Sequence, residues 1–232
     1  MNAAHARSDA SPQILRVSTD TKAKIKLGEF SRGGKSRGLE PVKALDHDMQ
    51  ETDTLIPLGI LEVKQKQGNV LYGHSRETSD FIVDGFEHWW RYRKKHYPLI
   101  TTLQIDLDNG PEIESNRTQF IKRIVDFADK YQLTIELVYY PPYHSKYNSV
   151  EHFWGVLEKH WSGTLLTDID TVKEWTKTMR WAGIAPNVYS LDKEYERGVK
   201  LTKKEIEPYE KRLKRTQGIE KWSVVIEPKK HE

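Results

Sequence analysis

The sequence predicts an α/β domain whose sheet is antiparallel in its first half and parallel in its second. Two observations carry this expectation. Between positions 55 and 75 two β-rich runs, LIPLGILEV and VLYGHS, flank Gly68-Asn69, a dipeptide suited to a hairpin turn. Between positions 101 and 140 a strand pattern, a helix pattern and a second strand pattern follow one another, and such units are parallel and right-handed in nearly all proteins.

Each element has its own local reason. The run ILRVST, at 14–19, is rich in β-branched residues and ends in a carboxylate, Asp20, which suits a strand. The polar Gly-rich stretch GEFSRGGKSRG separates it from the hairpin. Over 78–97 the apolar residues Phe81, Ile82, Phe86, Trp89 and Trp90 recur at three- and four-residue spacing, between capping Thr/Ser residues and Pro98, which predicts a helix. TTLQIDLDNG reads as a strand that ends at Asn109-Gly110. A helix over 115–131 has Phe120, Ile124, Phe127 and Ala128 on one face. LTIELVYY, at 133–140, is a strand that Pro141-Pro142 must end.

Ser149 then opens a helix whose stripe is Val150, Trp154, Leu157 and Trp161, and two further helical patterns follow at 169–181 and 203–215. These elements give a five-stranded mixed sheet with helices on both faces. The expected organisation is a disordered tail or linker remnant at 1–13, a core at 14–165, and a helical extension at 166–232.

Composition narrows the function classes. The 232 residues carry 37 Lys plus Arg against 34 Asp plus Glu, a formal charge of +3 that excludes a histone-like polycation. Aromatic residues at 10%, with seven Trp, mark a folded chain. With no Cys, disulfide frameworks, thiolate nucleophiles, iron–sulfur clusters and the common zinc sites are removed together. No His pair has the H-x-x-x-H spacing of zinc hydrolases. Neither a membrane span nor a signal peptide is readable, so the expected location is the cytoplasm.

Three acids stand where a parallel sheet places ligands, at the carboxyl ends of strands and the start of the next helix: Asp20, Asp108 and Glu151. Phosphoryl transfer on nucleic acid commonly uses two Mg²⁺ ions about 4 Å apart, held by a few carboxylates. Taken singly, each acid has an ordinary role, as a turn former or as a complement to a helix dipole. Strand alternation also puts Asp106 on the same face as Asp108, and spacing does not choose between them.

The segments VSTDTK, LQIDLDNGPE and YYPPYHSKYNSVEHFWGVLEKHW together resemble the catalytic domain of bacterial insertion-sequence DDE transposases of the ISAzo branch, related to mariner-like transposases. The resemblance runs from about position 14 to the C-terminal EKWSVVIEP. It implies an RNase H-like fold, with Asp20, Asp108 and Glu151 as catalytic and metal-binding residues and Asp108 preferred to Asp106 because Asn109 follows it. It also implies two Mg²⁺ ions, or Mn²⁺, with no organic cofactor. DNA, as element ends and target, would be the partner, with self-association on DNA near the nucleoid and no membrane.

Expected nucleic-acid contacts are Arg32, Lys35 and Arg37 in the Gly-rich loop, where Gly33-Gly34 would let the backbone approach phosphate, together with Asn109, His144, Lys146 and Asn148. Two departures from the family pattern stand out. Where the family has Asn-Pro before the Glu-bearing helix, this chain has Asn148-Ser149, and Ser is an adequate helix-start residue. Only a dozen polar residues precede the first strand, where such transposases have a helix-turn-helix region.

Two rival readings belong to other classes. A truncated, catalytically silent transposase could act only by competing for DNA or dimerising. A glycosidase could use Asp106, Asp108 and Glu112, but the Glu112 spacing is poor and a hairpin opening does not suit an eight-fold barrel.

Overall fold

The computed structural model describes residues 1–34, 53–141 and 148–230. Its centre is the mixed sheet. Strand β1 (Ile14–Thr21) pairs antiparallel with β3 (Thr54–Glu62), which pairs antiparallel with β4 (Gln67–Gly73). On its other side β1 runs parallel to β5 (Thr102–Leu107), and β5 runs parallel to β6 (Thr134–Tyr139). The change from antiparallel to parallel therefore falls at β1.

The sheet is larger than the five strands expected. Short β2 (Ile25–Lys26) joins β3, β7 (Asn187–Leu191) runs parallel to β4, and β8 (Leu213–Arg215) and β9 (Ser223–Ile226) form an antiparallel hairpin beside β6. Nine strands of the described residues thus make one sheet, in the order β7-β4-β3-β1-β5-β6-β9-β8 with β2 on β3. The segment expected as a helical extension contributes three of them. Its final helix, expected over 203–215, is α6 (Lys203–Glu210) and is followed at once by β8. Pro208 within α6 lacks the N–H that would close a further turn.

The hairpin turn also lies elsewhere than expected. Gly68 and Asn69 are strand residues, paired with Leu61 and Ile60, and the chain reverses at 63–66, where Lys66 takes the left-handed φ of 55°. Asn69 is in the ladder because its buried amide donates to the Ile60 carbonyl and to the Glu62 carboxylate, with Nδ2 at 3.0 and 3.1 Å.

Helices cover both faces. Leu15 and Val17 of β1, Leu103, Ile105 and Leu107 of β5, and Ile135 and Leu137 of β6 alternate toward one face. There they meet α2 (Ser79–Arg93) and α3 (Thr118–Tyr131), through Phe81, Phe86, Trp89, Phe120, Ile124 and Phe127. On the opposite face α4 (Ser149–Trp161) and α5 (Ile169–Thr178) cover Leu61, Val70 and Tyr72 with Val150, Phe153, Trp154, Leu157, Trp161 and Val172. Full burial of one such side chain stabilises by about 1.5–3 kcal/mol.

The segment ahead of β1, expected as a tail, is helical: α1 (Asn2–Ala10). It has almost no apolar stripe, with Ser8 its one buried residue. Polar contacts to the α4-side face of the sheet hold it instead. Arg7 pairs with Glu136 of β6, Asp9 with Arg16 of β1, and His5 Nε2 lies 3.0 Å from Asp106 of β5. Among the described residues no helix is long and apolar enough to cross a membrane.

Candidate active site

On the α4-side face the three central strands carry polar side chains: Arg16, Ser18 and Asp20 on β1, Gln104 and Asp106 on β5, and Glu136 on β6. Ser18 is the register partner of Asp106. Two residues further on, the same register brings Asp20 level with Asp108, just past the end of β5, on strands about 4.8 Å apart. The two acids expected from sequence therefore come from neighbouring parallel strands at one end of the sheet.

A cleft of about 370 Å³ opens there, lined by Asp20, Lys22, Lys24, Glu77, Asp108 and Glu112 among others. Asp20 is half-buried in it, and its carboxyl is pushed up to about 8. Burial is the largest cause, followed by the like charges of Asp108 and Glu151 and, more weakly, Glu77, while the Thr21 backbone opposes them. Glu151 is exposed in the first turn of α4, and its charge acts on Asp20 after that of Asp108. Asp108 and Glu151 thus both bear electrostatically on Asp20, although 88 positions separate Asp20 from Asp108 and 43 separate Asp108 from Glu151 in the sequence.

Among the described residues no group of three His, Asp or Glu side chains is placed so as to hold a metal ion. The donor set nevertheless fits a hard divalent cation. It consists of carboxylate oxygens, and beside burial, the largest cause, like charges that a cation would offset contribute to the shift at Asp20.

Asp106 is separated from this role by its surroundings. It is fully buried, 3.4 Å from Arg16 Nη1 and 3.0 Å from His5 Nε2, and accepts from Gln104 Nε2 at 2.9 Å. Its charge is spent inside the protein. Asp108 is half-exposed at the cleft and, among the described residues, accepts the local Gly110 N–H at 3.1 Å. Glu112 is held by Arg117 at 3.2 Å and by the Ser79 backbone N–H at 3.3 Å, a brace for the start of α2.

The expected nucleic-acid contacts fare differently from one another. Lys35, Arg37, His144 and Lys146 lie outside the described residues. Arg32 is engaged with α4, pairing with Glu158 at 2.9 Å and lying 5.3 Å over the Trp161 ring. Gly33 and Gly34, with φ of 69° and 83°, use their freedom to approach the end of α4, where Gly163 N–H donates to the Gly33 carbonyl at 2.8 Å. Asn109 is exposed, in a neighbouring hollow shared with Arg215 and Lys221. Asn148 corrects the expectation: it is 0% exposed, its side chain bonded to Ser18 and to the Thr19 carbonyl, so it faces β1 and not a ligand.

Sequence reasoning missed Glu77 and Ser18. Glu77 precedes the Thr78 cap of α2, where an acid reads as a helix-start residue, yet it accepts from Thr21 Oγ1 at 2.6 Å and faces the cleft. Ser18 lies two residues before Asp20 on the same strand face, and that alternation was the available signal.

Comparisons with known proteins bear on this arrangement. Residues 1–228 match a protein family described as the Rhodopirellula transposase DDE domain. No curated protein matches the chain. The chain is similar to a solved structure titled "Mos1 transposase paired-end complex with left transposon end", at 11% identity and a TM-score of 0.52, over 75% of this chain and 49% of that one. A "Mos1 mariner paired end complex with Mn" is similar at 11% identity and a TM-score of 0.48, over 75% and 50%. This chain therefore spans about half the length of the Mos1 chain in the first of these, 49%. At that identity the likeness shows the fold, which is RNase H-like.

Proposed function

Given that the chain belongs to the Rhodopirellula transposase DDE domain family, we propose that Asp20, Asp108 and Glu151 form the catalytic centre for metal-dependent cleavage and joining of DNA. One observation supports this reading: Asp20 and Asp108 line one cleft, and burial together with the like charges of Asp108 and of Glu151 on α4 pushes the Asp20 carboxyl up to about 8. Two bound Mg²⁺ or Mn²⁺ ions would activate the attacking oxygen and offset charge on the leaving one.

The protein's own part is to hold three carboxylates at fixed mutual positions. Asp20 and Asp108 hang from adjacent strands of a rigid sheet, so their separation is set by strand spacing. Glu151 approaches from a helix, and its position depends on how α4 is seated. Lys24 lines the same cleft and offers positive charge to a phosphodiester backbone, while Lys22 beside it pairs with Glu158 of α4 at 2.8 Å. Water would attack the phosphodiester at an element end, and the freed 3′-hydroxyl would then attack target DNA. The partners are DNA ends, target DNA and a second copy of the chain on DNA, in the cytoplasm at the nucleoid.

The test is an oligonucleotide cleavage and strand-transfer assay with Mg²⁺ or Mn²⁺, with wild type beside Asp108→Asn and Glu151→Gln. Loss of both reactions in both variants is the expected outcome. Equal activity in wild type and Asp108→Asn overturns the assignment.

A further inference from the structure

Helix α4 begins in an unusual way. Its N-cap residue, Asn148, makes no capping hydrogen bond with its own side chain. The first free N–H groups of a helix nevertheless need partners when buried. Here one of them finds its partner on another element. The Val150 N–H donates to Ser18 Oγ on β1 at 2.9 Å, across 132 positions of sequence.

The Asn148 side chain completes the arrangement. Ser18 Oγ donates to Asn148 Oδ1, and Asn148 Nδ2 donates to the Thr19 carbonyl at 3.4 Å. Ser18 and Asn148 are both 0% exposed, so each of these bonds is formed out of water, where a missing partner is costly. Thr19 is fixed in turn, donating from Oγ1 to the Gly59 carbonyl at 2.8 Å. The start of α4 is therefore fastened to the two residues immediately before Asp20, and Glu151 lies one residue beyond Val150.

We propose that Ser18 and Asn148 are positioning residues, a buried clasp that sets the distance of Glu151 from Asp20 and so the affinity of the carboxylate trio for divalent cations. This deepens the reading of Asp20, Asp108 and Glu151 as the metal site and rests on it. The chemistry has a direct reason. Asp20 and Asp108 share a sheet, but Glu151 is carried by a separate helix, and three like charges repel each other. Without a fastening at its N-terminal end, α4 would relieve that repulsion by moving its first turn away. Apolar packing through Val150, Trp154, Leu157 and Trp161 holds the helix on the sheet, and the clasp adds the directional bonds that fix how its first turn is seated.

Mn²⁺ binding, followed by electron paramagnetic resonance on the full chain, separates the possibilities without any need for turnover. Asn148→Ala and Ser18→Ala are expected to weaken Mn²⁺ binding roughly ten- to hundredfold, the range for residues that orient a metal ligand. Ser18→Thr, which keeps the hydroxyl, should retain most of it. Leu157→Ala, a cavity variant in the middle of α4, should lower the melting temperature more than Asn148→Ala yet leave Mn²⁺ affinity near wild type. Glu151→Gln serves as the reference. If it weakens binding while Asn148→Ala and Ser18→Ala match wild type, the clasp is refuted and the metal site stands. If Glu151→Gln itself binds Mn²⁺ as wild type does, the underlying site assignment fails.

Discussion

Asp20 and Gly59 are directly paired across the β1–β3 ladder, and the missing side chain at Gly59 is what lets α4 lie over that pair. A Cβ at position 59 would stand 2.5 Å from the Trp154 ring and 2.9 Å from Val150. Val150 precedes Glu151, so this close approach of helix to sheet occurs beside Asp20, the acid that shares the ladder rung.

Gly59→Ala should therefore push the first half of α4 outward. Overpacking of this kind costs about 1–3 kcal/mol, and Mn²⁺ affinity should fall with it because Glu151 moves with the helix. Urea unfolding and Mn²⁺ titration on the same variant check both. A Gly59→Ala protein that is less stable but binds Mn²⁺ as wild type would show that α4 yields elsewhere.

Asp20 gives the metal-free protein a pH dependence opposite to that of a salt-bridged carboxylate. Its folded value, about 8, lies above the ordinary 3.8. Between these values the folded state keeps a proton that the unfolded state has released, so this contribution to stability falls as pH rises from about 4 to 8. With EDTA present, the melting temperature should drop between pH 5 and pH 8 more in wild type than in Asp20→Asn. Added Mn²⁺ at pH 8 should close the gap. The same slope in both proteins would contradict the causes assigned to it, the burial of the acid and then the charges of Asp108, Glu151 and Glu77 around it.

Asp106 and Asp108 should separate cleanly. Asp106→Ala leaves His5 and Gln104 without their buried partner while Arg16 keeps Asp9, and a buried polar group left without a partner costs about 1–3 kcal/mol. Its Mn²⁺ affinity should remain near wild type. Asp108→Asn should do the reverse, with little change in melting temperature and loss of Mn²⁺ binding. Circular dichroism melts beside Mn²⁺ titrations decide the matter.

The C-terminal hairpin is fastened through Asp129 of α3. Arg212 grips it with two N–H groups at 2.9 and 2.7 Å, and the Lys229 N–H donates to it at 2.8 Å. The Arg212 guanidinium, first among the causes, holds the Asp129 carboxyl below its usual range. A depressed carboxylate stabilises above its unfolded value and loses that contribution as pH falls through the folded one. Asp129→Asn should therefore cost about 0.5–1.5 kcal/mol near neutral pH, since the pair is partly exposed, and little below pH 3. Hydrogen exchange at β8 and β9 amides should quicken in the variant at pH 7.

Much of this architecture was legible in the sequence because its determinants are local. β1, β3, α2, β5, α3, β6 and α4 follow from runs of β-branched residues, from stripes at helical spacing and from Pro and Gly stops. The rest depended on distant partners. α1 has no apolar stripe, and acids on β5 and β6 hold it through His5 and Arg7. β8 is three residues, Leu213–Arg215, which a charged helical pattern absorbs until β9 is seen beside it. In the candidate site, strand-end carboxylates were readable from chain order. Asn148 was not, because a polar residue ahead of a helix looks the same whether it faces DNA or, as here, the interior.

The β9–β8 hairpin also shields β6, whose sequence TIELVY contains no Pro. Removing everything after Arg212 would bare that strand's outer row of amides and carbonyls, a template for pairing between copies. Such a shortened chain should precipitate as ordered multimers even with its acidic cleft intact, so the last twenty residues act as a solubility device.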